Sequence, residues 1–296
     1  MQSITPHLWF DSQARAAAEL YTSLLDGSEI VNVTTLRDTP SGDCDLVSFA
    51  LAGQPFMAIS AGPMFRFNPS VSFRIDCESA DEVDALWQRL GEGGQVLMPL
   101  DSYPFSPRYG WLQDRYGLSW QVMHAAGREV TQRIVPTLMF TGPACGRAEE
   151  AIGLYRSLFD GALVGDPMRY GSGEEPDAEG TLRYAAFTLG GMQFAAMDSA
   201  RGHDFTFNEA ISLLVPCDTQ EEIDRYWEAL SAVPESEQCG WLKDRFGLSW
   251  QITSSAMERT LRDGDEQQIA RVTRAFLTMR KIDLAAIEEA QGGPAS

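Results

Sequence analysis

The sequence predicts an α+β protein that contains two copies of one domain, followed by C-terminal helices. The first observation is a near-identical block. GWLQDRYGLSWQ at residues 110–121 returns as GWLKDRFGLSWQ at residues 240–251, with ten of twelve positions unchanged. The second observation is the order of strand-like and helix-like segments, which is β-α-β-β-β twice in each copy. The unit of roughly 120 residues far exceeds the about 20–50 residues of a solenoid repeat, so a whole domain is duplicated.

The elements of copy one follow from the spacing of apolar residues. In the first module the pattern predicts a strand at residues 4–10, a helix at about 13–25, and strands at 29–36, 45–51 and 55–60. In the second module it predicts a strand at 70–76, a helix, and strands near 96–99, 110–114 and 119–124. The helix of the second module begins at a capping box, Ser79-x-x-Glu82, and its counterpart in copy two begins at Thr219-x-x-Glu222.

The domain boundaries follow from the repeat. We place copy one at residues 1–125, copy two at residues 134–254, and a helical tail at residues 255–296. A linker of about nine residues spans at most roughly 30 Å, so the copies must be neighbours. We predict that they pack about a pseudo-two-fold axis as an internal pseudo-dimer, burying Trp111 and Trp241; a further homodimer is left open.

The tail carries its own helical signals. Val272, Phe276 and Met279 form one apolar stripe, which we predict docks on one of the copies because it would otherwise lie in water. Asp283 is placed to cap the N-terminus of a final short helix.

Charge and composition exclude several classes of function. The 296 residues include 42 acidic and 23 basic side chains, a net charge of −19, which disfavours binding to nucleic acid or to anionic membranes. No apolar run approaches the about 20 residues that a membrane helix needs. Five cysteines without a C-x-x-C pair do not predict a disulfide framework. No basic-then-apolar leader follows Met1, so we expect a cytoplasmic protein.

The paired modules and the D-x-x-G turn in each copy resemble the vicinal oxygen chelate superfamily, which includes glyoxalase I, extradiol dioxygenases and bleomycin-resistance proteins. The resemblance is strongest to its PhnB-like branch, also labelled 3-demethylubiquinone 3-methyltransferase-like. It is carried by FNEAISLLV at residues 207–215, CGWLKDRFGLSWQ at residues 239–251 and MRKID at residues 279–283. The resemblance implies that the two modules of each copy form a curved mixed sheet around a cleft, where metal-using relatives hold one divalent ion with four inward side chains.

The resemblance places four inward positions in each copy. They fall near His7, Ala58, Ser70 and Gln121 in copy one, and near Thr137, Ala196, Ala210 and Gln251 in copy two. Only His7 is a good metal ligand, since glutamine offers one neutral oxygen and alanine none. We therefore predict no tight metal site and no cofactor. A divalent ion held by His7 and Gln121 is the alternative.

The candidate ligand-binding residues are His7, Ser70, Gln121, Thr137, Cys239 and Gln251. His7 is either a base or ligand in the cleft or a strand histidine satisfied by a carbonyl. The glutamines either bind a small polar ligand or pair with the backbone. Cys239 is reactive only if a cation such as Lys243 lowers its pKa, and is otherwise a small buried residue.

Three hypotheses about function follow. The first is a metal-free protein that binds a small organic molecule in one or both clefts. The second is a metal-dependent lyase, isomerase or dioxygenase with its site around His7. The third is a non-catalytic structural pseudo-dimer. The methyltransferase label has no support from motifs, because the glycine cluster at residues 91–94 follows a helix and does not connect a strand to a helix.

Overall fold

The computed structural model describes residues 4–292. The chain divides into two compact units. Unit 1 combines Met1–Arg66 with Asn208–Ser296, and unit 2 is Phe67–Phe207. Each unit therefore contains one module from each copy of the repeat.

The helices and strands follow the predicted order, except that the second module of copy two has three strands where four were predicted. Copy one contains β1 (Thr5–Phe10), α1 (Ala14–Thr22), β2 (Glu29–Thr39), β3 (Gly42–Leu51), β4 (Gln54–Ser60), β5 (Val71–Cys77), α2 (Ala80–Gly91), β6 (Gln95–Tyr103), β7 (Ser106–Gln113) and β8 (Ser119–His124). Copy two contains β9 (Ile134–Phe140), α3 (Ala148–Leu158), β10 (Leu163–Arg169), β11 (Leu182–Leu189), β12 (Met192–Asp198), β13 (Ile211–Cys217), α4 (Gln220–Leu230), β14 (Trp241–Lys243) and β15 (Ser249–Ser254). The tail contains α5 (Ser255–Asp263), α6 (Glu266–Phe276) and α7 (Leu284–Gly292).

The α+β fold class is confirmed, with one mixed sheet in each unit. In unit 1 the strand order is β14-β15-β13-β1-β4-β3-β2, and in unit 2 it is β10-β11-β12-β9-β5-β8-β7-β6. Unit 1 has one strand fewer because copy two lacks about ten residues where copy one forms β6. A short 3₁₀ turn, Pro234–Ser236, takes the place of that edge strand.

The expectation that the two modules of one copy share one sheet is wrong. Strand β1 of copy one pairs antiparallel with β13 of copy two, and β5 of copy one pairs antiparallel with β9 of copy two. All four modules are related and each begins with a similar strand, so the first strand of one module can pair with that of any other. The copies therefore build both sheets jointly, as an internal pseudo-dimer.

The two tryptophans predicted to be buried between the copies behave differently. Trp241 of copy two packs edge-on against His7 and Trp9 of copy one, with ring centroids 5.6 and 6.1 Å apart. Trp111 instead donates its indole N–H to Ser119 Oγ at 2.8 Å, on a neighbouring strand of its own copy.

The predicted capping residues of α2 and α4 are confirmed. The backbone N–H of Glu82 donates to Ser79 Oγ, and that of Glu222 donates to Thr219 Oγ1, both at 3.2 Å. The glutamate carboxylates reach back one residue further than the capping box requires. They accept from the backbone N–H of Glu78 at 2.9 Å and of Asp218 at 2.8 Å.

The aspartates of the repeated block, Asp114 and Asp244, are buried. Asp114 accepts hydrogen bonds from the backbone N–H groups of Tyr116 and Leu118 and from the indole N–H of Trp120, at 2.8, 3.1 and 2.9 Å. Copy two repeats the arrangement around Asp244, with its indole bond to Trp250 also at 2.9 Å. Each aspartate fixes the turn before the last strand of its module and holds the tryptophan of that strand, which explains why the block is conserved within the chain.

The tail packs on unit 1, as predicted for its apolar stripe. Val272 and Phe276 of α6 are buried, and α6 lies against β2. Asp283 caps α7, because its carboxylate accepts from the backbone N–H of Ala286 at 3.2 Å. Among residues 4–292, no helix has the length and apolar character to cross a membrane.

Candidate functional site

Each sheet has one face that carries two of the six predicted site residues. Residues directly opposite each other on neighbouring strands point to the same face. In unit 1, His7 lies opposite Met57 on β4 and Ser212 on β13. Gln251 on β15 joins them, since its side-chain N–H donates to Ser212 Oγ at 2.8 Å. We call the face with His7, Met57, Ser212 and Gln251 the site face of unit 1.

Unit 2 has the equivalent face, built from the other two modules. Thr137 on β9 lies opposite Ser72 on β5 and Ala195 on β12. Gln121 donates to Ser72 Oγ at 2.7 Å, which matches the bond between Gln251 and Ser212. We call the face with Thr137, Ala195, Ser72 and Gln121 the site face of unit 2. Each site face thus takes residues from both copies.

Two of the positions carried over from the resemblance are shifted in each copy. Ala58 lies opposite Leu8 and Ala196 opposite Leu138, so both point to the opposite face of their sheets. The neighbours on the site faces are Met57 and Ala195. Ser70 and Ala210 precede their strands by one residue.

Serines two residues later, Ser72 and Ser212, make the bonds to the glutamines. The sequence contains a signal for these serines, since they occupy the same position of the two copies, 140 residues apart.

His7 is buried without a full set of hydrogen bonds. Its side chain is 3% exposed, and Nδ1 has no hydrogen-bond partner among the described residues. Burial lowers the pKa of His7 to about 3, so the imidazole is neutral at physiological pH. A neutral imidazole with one free nitrogen can donate or accept a hydrogen bond, but it is too weak a base to hold a proton near pH 7.

The site faces do not offer a donor set for a divalent ion. Unit 1 provides one imidazole, one thioether, one hydroxyl and one amide, and unit 2 provides two hydroxyls, one amide and a methyl group. Zinc and related ions prefer three or four His, Cys, Asp or Glu ligands. Within residues 4–292, no three such side chains are grouped closely enough to hold a metal. The residues present therefore do not fit the ion that the fold family implies.

Unit 2 carries a buried polar network on its site face. Arg74 is 6% exposed, and its guanidinium donates two bonds of 2.9 Å to the carboxylate of Asp76 and one of 2.6 Å to the hydroxyl of Tyr184. Tyr109 donates to Gln121 Oε1 at 2.9 Å, which connects it to Ser72. The polar groups of this face are thus directed at one another.

Unit 1 has a cavity on its site face. It measures about 350 Å³ and extends from Met57 and Ser48 to Thr5 and Leu214. Helix α5 of the tail covers it and contributes Glu258 to its lining. Helix α5 is held in place by β2, where Thr34 Oγ1 donates to the backbone carbonyl of Leu261 at 2.7 Å.

Glu258 is the functional candidate that sequence reasoning missed. Its carboxylate accepts from Thr253 Oγ1 at 2.9 Å. Burial raises the pKa of Glu258 to about 7, against smaller opposing effects of Thr253 and Arg262. Because the tail is not part of the repeat, no counterpart position marked this glutamate.

A larger groove of about 550 Å³ lies between α4 and α7 and is more open to solvent. Several of its polar groups already pair with one another. Lys281 contacts Asp224 at 2.5 Å, and Gln220 Oε1 accepts from the backbone N–H of Leu284 at 2.9 Å. We therefore place the candidate site in the smaller cavity, which has a carboxyl group of altered pKa.

Cys239 lies just before β14 and does not line the cavity of unit 1, and its environment makes it unreactive. Lys243 does not activate it, because its ammonium pairs with Glu209 at 2.8 Å. Burial raises the pKa of Cys239 to about 11. We expect iodoacetamide at about pH 8 to alkylate Cys239 at least about 100-fold more slowly than free cysteine, because only the thiolate reacts. Peptide mass mapping over time measures this, and a rate equal to that of free cysteine would contradict it.

Comparisons with known proteins agree with the duplicated fold. The family model of 3-demethylubiquinone-9 3-methyltransferase matches twice, over residues 2–123 and 132–253. A search of the curated proteins gave no match.

Among solved structures, a PhnB protein from Bacillus cereus is 40% identical over 42% of this chain and all of its own, with a TM-score of 0.40. Glyoxalase I from Zea mays is 10% identical over 89% of this chain and 98% of its own, with a TM-score of 0.54, a likeness in fold. The two matches of the family model together span more than half of the sequence, and the chain therefore belongs to the 3-demethylubiquinone-9 3-methyltransferase family, with the family domain present twice.

Proposed function

We propose that the chain binds a small organic molecule in the cavity on the site face of unit 1, without a tightly bound metal ion. The observation that carries this proposal is the cavity of about 350 Å³ itself. Its size suits a small ligand, since binding pockets are concave and combine apolar walls with a few polar groups. Met57 and Leu214 provide apolar walls, while Thr5, Ser48 and Glu258 provide polar groups. We propose no ligand for unit 2.

A pair of matched variants tests this placement. Ser48→Phe adds a phenyl ring to the cavity, whereas Ala186→Phe places the same ring at the equivalent position of copy two, in unit 2. A library of small acids, alcohols, ketones and amines is screened by ligand-observed NMR. We expect the bound compounds to be lost with Ser48→Phe and retained with Ala186→Phe. No bound compound, or the opposite pattern between the two variants, would overturn the proposal.

The competing hypothesis is a metal-dependent lyase, isomerase or dioxygenase around His7. One observation favours it, the buried Nδ1 of His7 that has no partner among the described residues. We expect less than about 0.1 equivalent of any divalent metal after purification without chelators, because a single imidazole makes a weak site. Native mass spectrometry and metal analysis measure this, with His7→Ala as the control. A stoichiometric ion that His7→Ala removes would establish the competing function.

We do not propose methyl transfer, the reaction that the family description names. A common S-adenosylmethionine site needs a glycine-rich turn that leads from a strand into a helix. The glycines at residues 91–94 instead end α2 and precede β6. The non-catalytic role as a structural pseudo-dimer is disfavoured by the cavity, which a purely structural unit does not need.

A further inference from the structure

The charges that line the cavity of unit 1 all come from the tail. Its charged lining residues are Glu258, Arg259 and Arg262, which lie on α5. Strands β1 to β4 and β13 contribute only uncharged residues to the lining. Helices α6 and α7, which pack against α5, contribute no charged group to the lining. The chain has a net charge of −19. The lining of this cavity, in contrast, contains two guanidinium groups and one carboxyl group.

The two arginines differ in how their charge is matched. Arg262 pairs with the carboxylate of its neighbour Asp263, at 2.8 to 3.1 Å. Arg259 makes no ion pair with any residue in the described range 4–292, and its side chain is exposed at the cavity. A guanidinium without a partner at the edge of a cavity is a ready site for a carboxylate, which it can bind through two parallel hydrogen bonds.

Glu258 sets the condition under which an anion can enter. As an anion it would repel a second carboxylate, while as a neutral acid it donates a hydrogen bond to one. Burial keeps the carboxyl protonated up to about pH 7, where an exposed glutamate would have ionised. Thr253 Oγ1 donates to Oε1 of the carboxyl group at 2.9 Å, and Oε2 has no hydrogen bond within residues 4–292, so Oε2 is available to donate the proton of the neutral acid.

We propose that the ligand of this cavity is a small organic monocarboxylate, an inference that rests on the proposed function. Arg259 pairs with its carboxylate, the neutral Glu258 donates a hydrogen bond to it, and Met57 and Leu214 contact its apolar part. The tail is thus part of the binding site. Binding makes and breaks no covalent bond, and Glu258 keeps its proton while the anion is bound.

The test uses short aliphatic and aromatic monocarboxylates, each with its uncharged amide, and measures affinity by titration calorimetry. We expect the full chain to bind acids in preference to amides. Affinity should fall about tenfold between about pH 6 and 8, because the protonated fraction of a group with a pKa of about 7 falls by that factor. Because the pKa of Glu258 is raised, the affinity for acids is highest below pH 7 and falls as Glu258 ionises.

Matched variants separate the roles of the two residues. Glu258→Gln keeps a hydrogen-bond donor that cannot ionise, so we expect acid binding without the pH dependence. Arg259→Met should weaken acid binding at least about tenfold at both pH values, because it removes a charge-assisted pair. The controls Glu266→Gln and Arg274→Met change the same residue types on exposed positions of α6 and should leave binding unchanged.

Any one of the following results would overturn the inference. Equal binding of acids and amides would reject the carboxylate while leaving the proposed function in place, since the cavity would still bind small molecules. Acid binding that persists in Arg259→Met, or that weakens equally in Arg274→Met, would reject the role of Arg259. A complete absence of binding by both acids and amides would reject the inference, and the Ser48→Phe screen would then decide the proposed function separately.

Discussion

Replacing Arg74 by leucine is expected to destabilise unit 2 by about 3–5 kcal/mol. Arg74 and Asp76 form a buried ion pair, with their side chains 8% and 6% exposed. Removal of the guanidinium leaves the carboxylate of Asp76 buried, and within residues 4–292 its remaining ion pair is a 3.6 Å contact with the largely exposed Arg128. It also removes the donor to the hydroxyl of Tyr184. Chemical denaturation monitored by fluorescence measures the free energy of unfolding.

The repeat supplies the control for this prediction. Copy two has Leu214 and Pro216 at the positions of Arg74 and Asp76, so the fold does not require the ion pair. We expect the double variant Arg74→Leu with Asp76→Ala to recover at least half of the loss, because no unpaired charge is left buried. If the single variant is as stable as the wild type, or if the double variant is no better than the single one, the carboxylate is not held by Arg74 in the way described.

The comparison of the two copies also shows what the sequence can predict. Elements and caps were predictable, because apolar spacing and residues such as Ser79 and Thr219 act locally. The pairing of modules was not predictable, since strands β1, β5, β9 and β13 are related and the pattern of a strand does not identify its partner. The cross-copy pairs β1–β13 and β5–β9 join strands that are far apart in the sequence, so no local pattern identifies them.

The faces that carry the predicted residues were predictable, but the cavity was not. His7, Gln121, Thr137 and Gln251 lie on the site faces, yet none of them lines the cavity of unit 1. Alternation along a strand has a period of two, so an error of one residue moves a position to the opposite face, as happened with Ala58. Glu258 could not be found from the sequence, because its role depends on where the tail docks and on the burial that raises its pKa.

The repeated aspartates provide the second large expected effect. Asp244→Ala should lower the free energy of unfolding of unit 1 by at least about 3 kcal/mol, and Asp114→Ala should do the same in unit 2. Each change leaves two backbone N–H groups and the indole N–H of Trp250 or Trp120 without their acceptor in a buried place. A buried donor without a partner costs about 1–3 kcal/mol, and three such donors share one carboxylate here.

The effect should appear both in stability and in the tryptophan itself. Loss of the bond from Trp250 to Asp244 changes the environment of an indole that is fully buried, so its fluorescence spectrum should shift in Asp244→Ala even before unfolding. Asp244→Asn keeps one oxygen acceptor but directs an amide N–H at a donor, so we expect an intermediate loss. Asp26→Ala, an exposed turn aspartate, is the control and should stay within about 0.5 kcal/mol of the wild type. A loss in Asp244→Ala no larger than that of Asp26→Ala would show that the turn, and with it the position of Gln251 on the next strand, does not depend on the carboxylate.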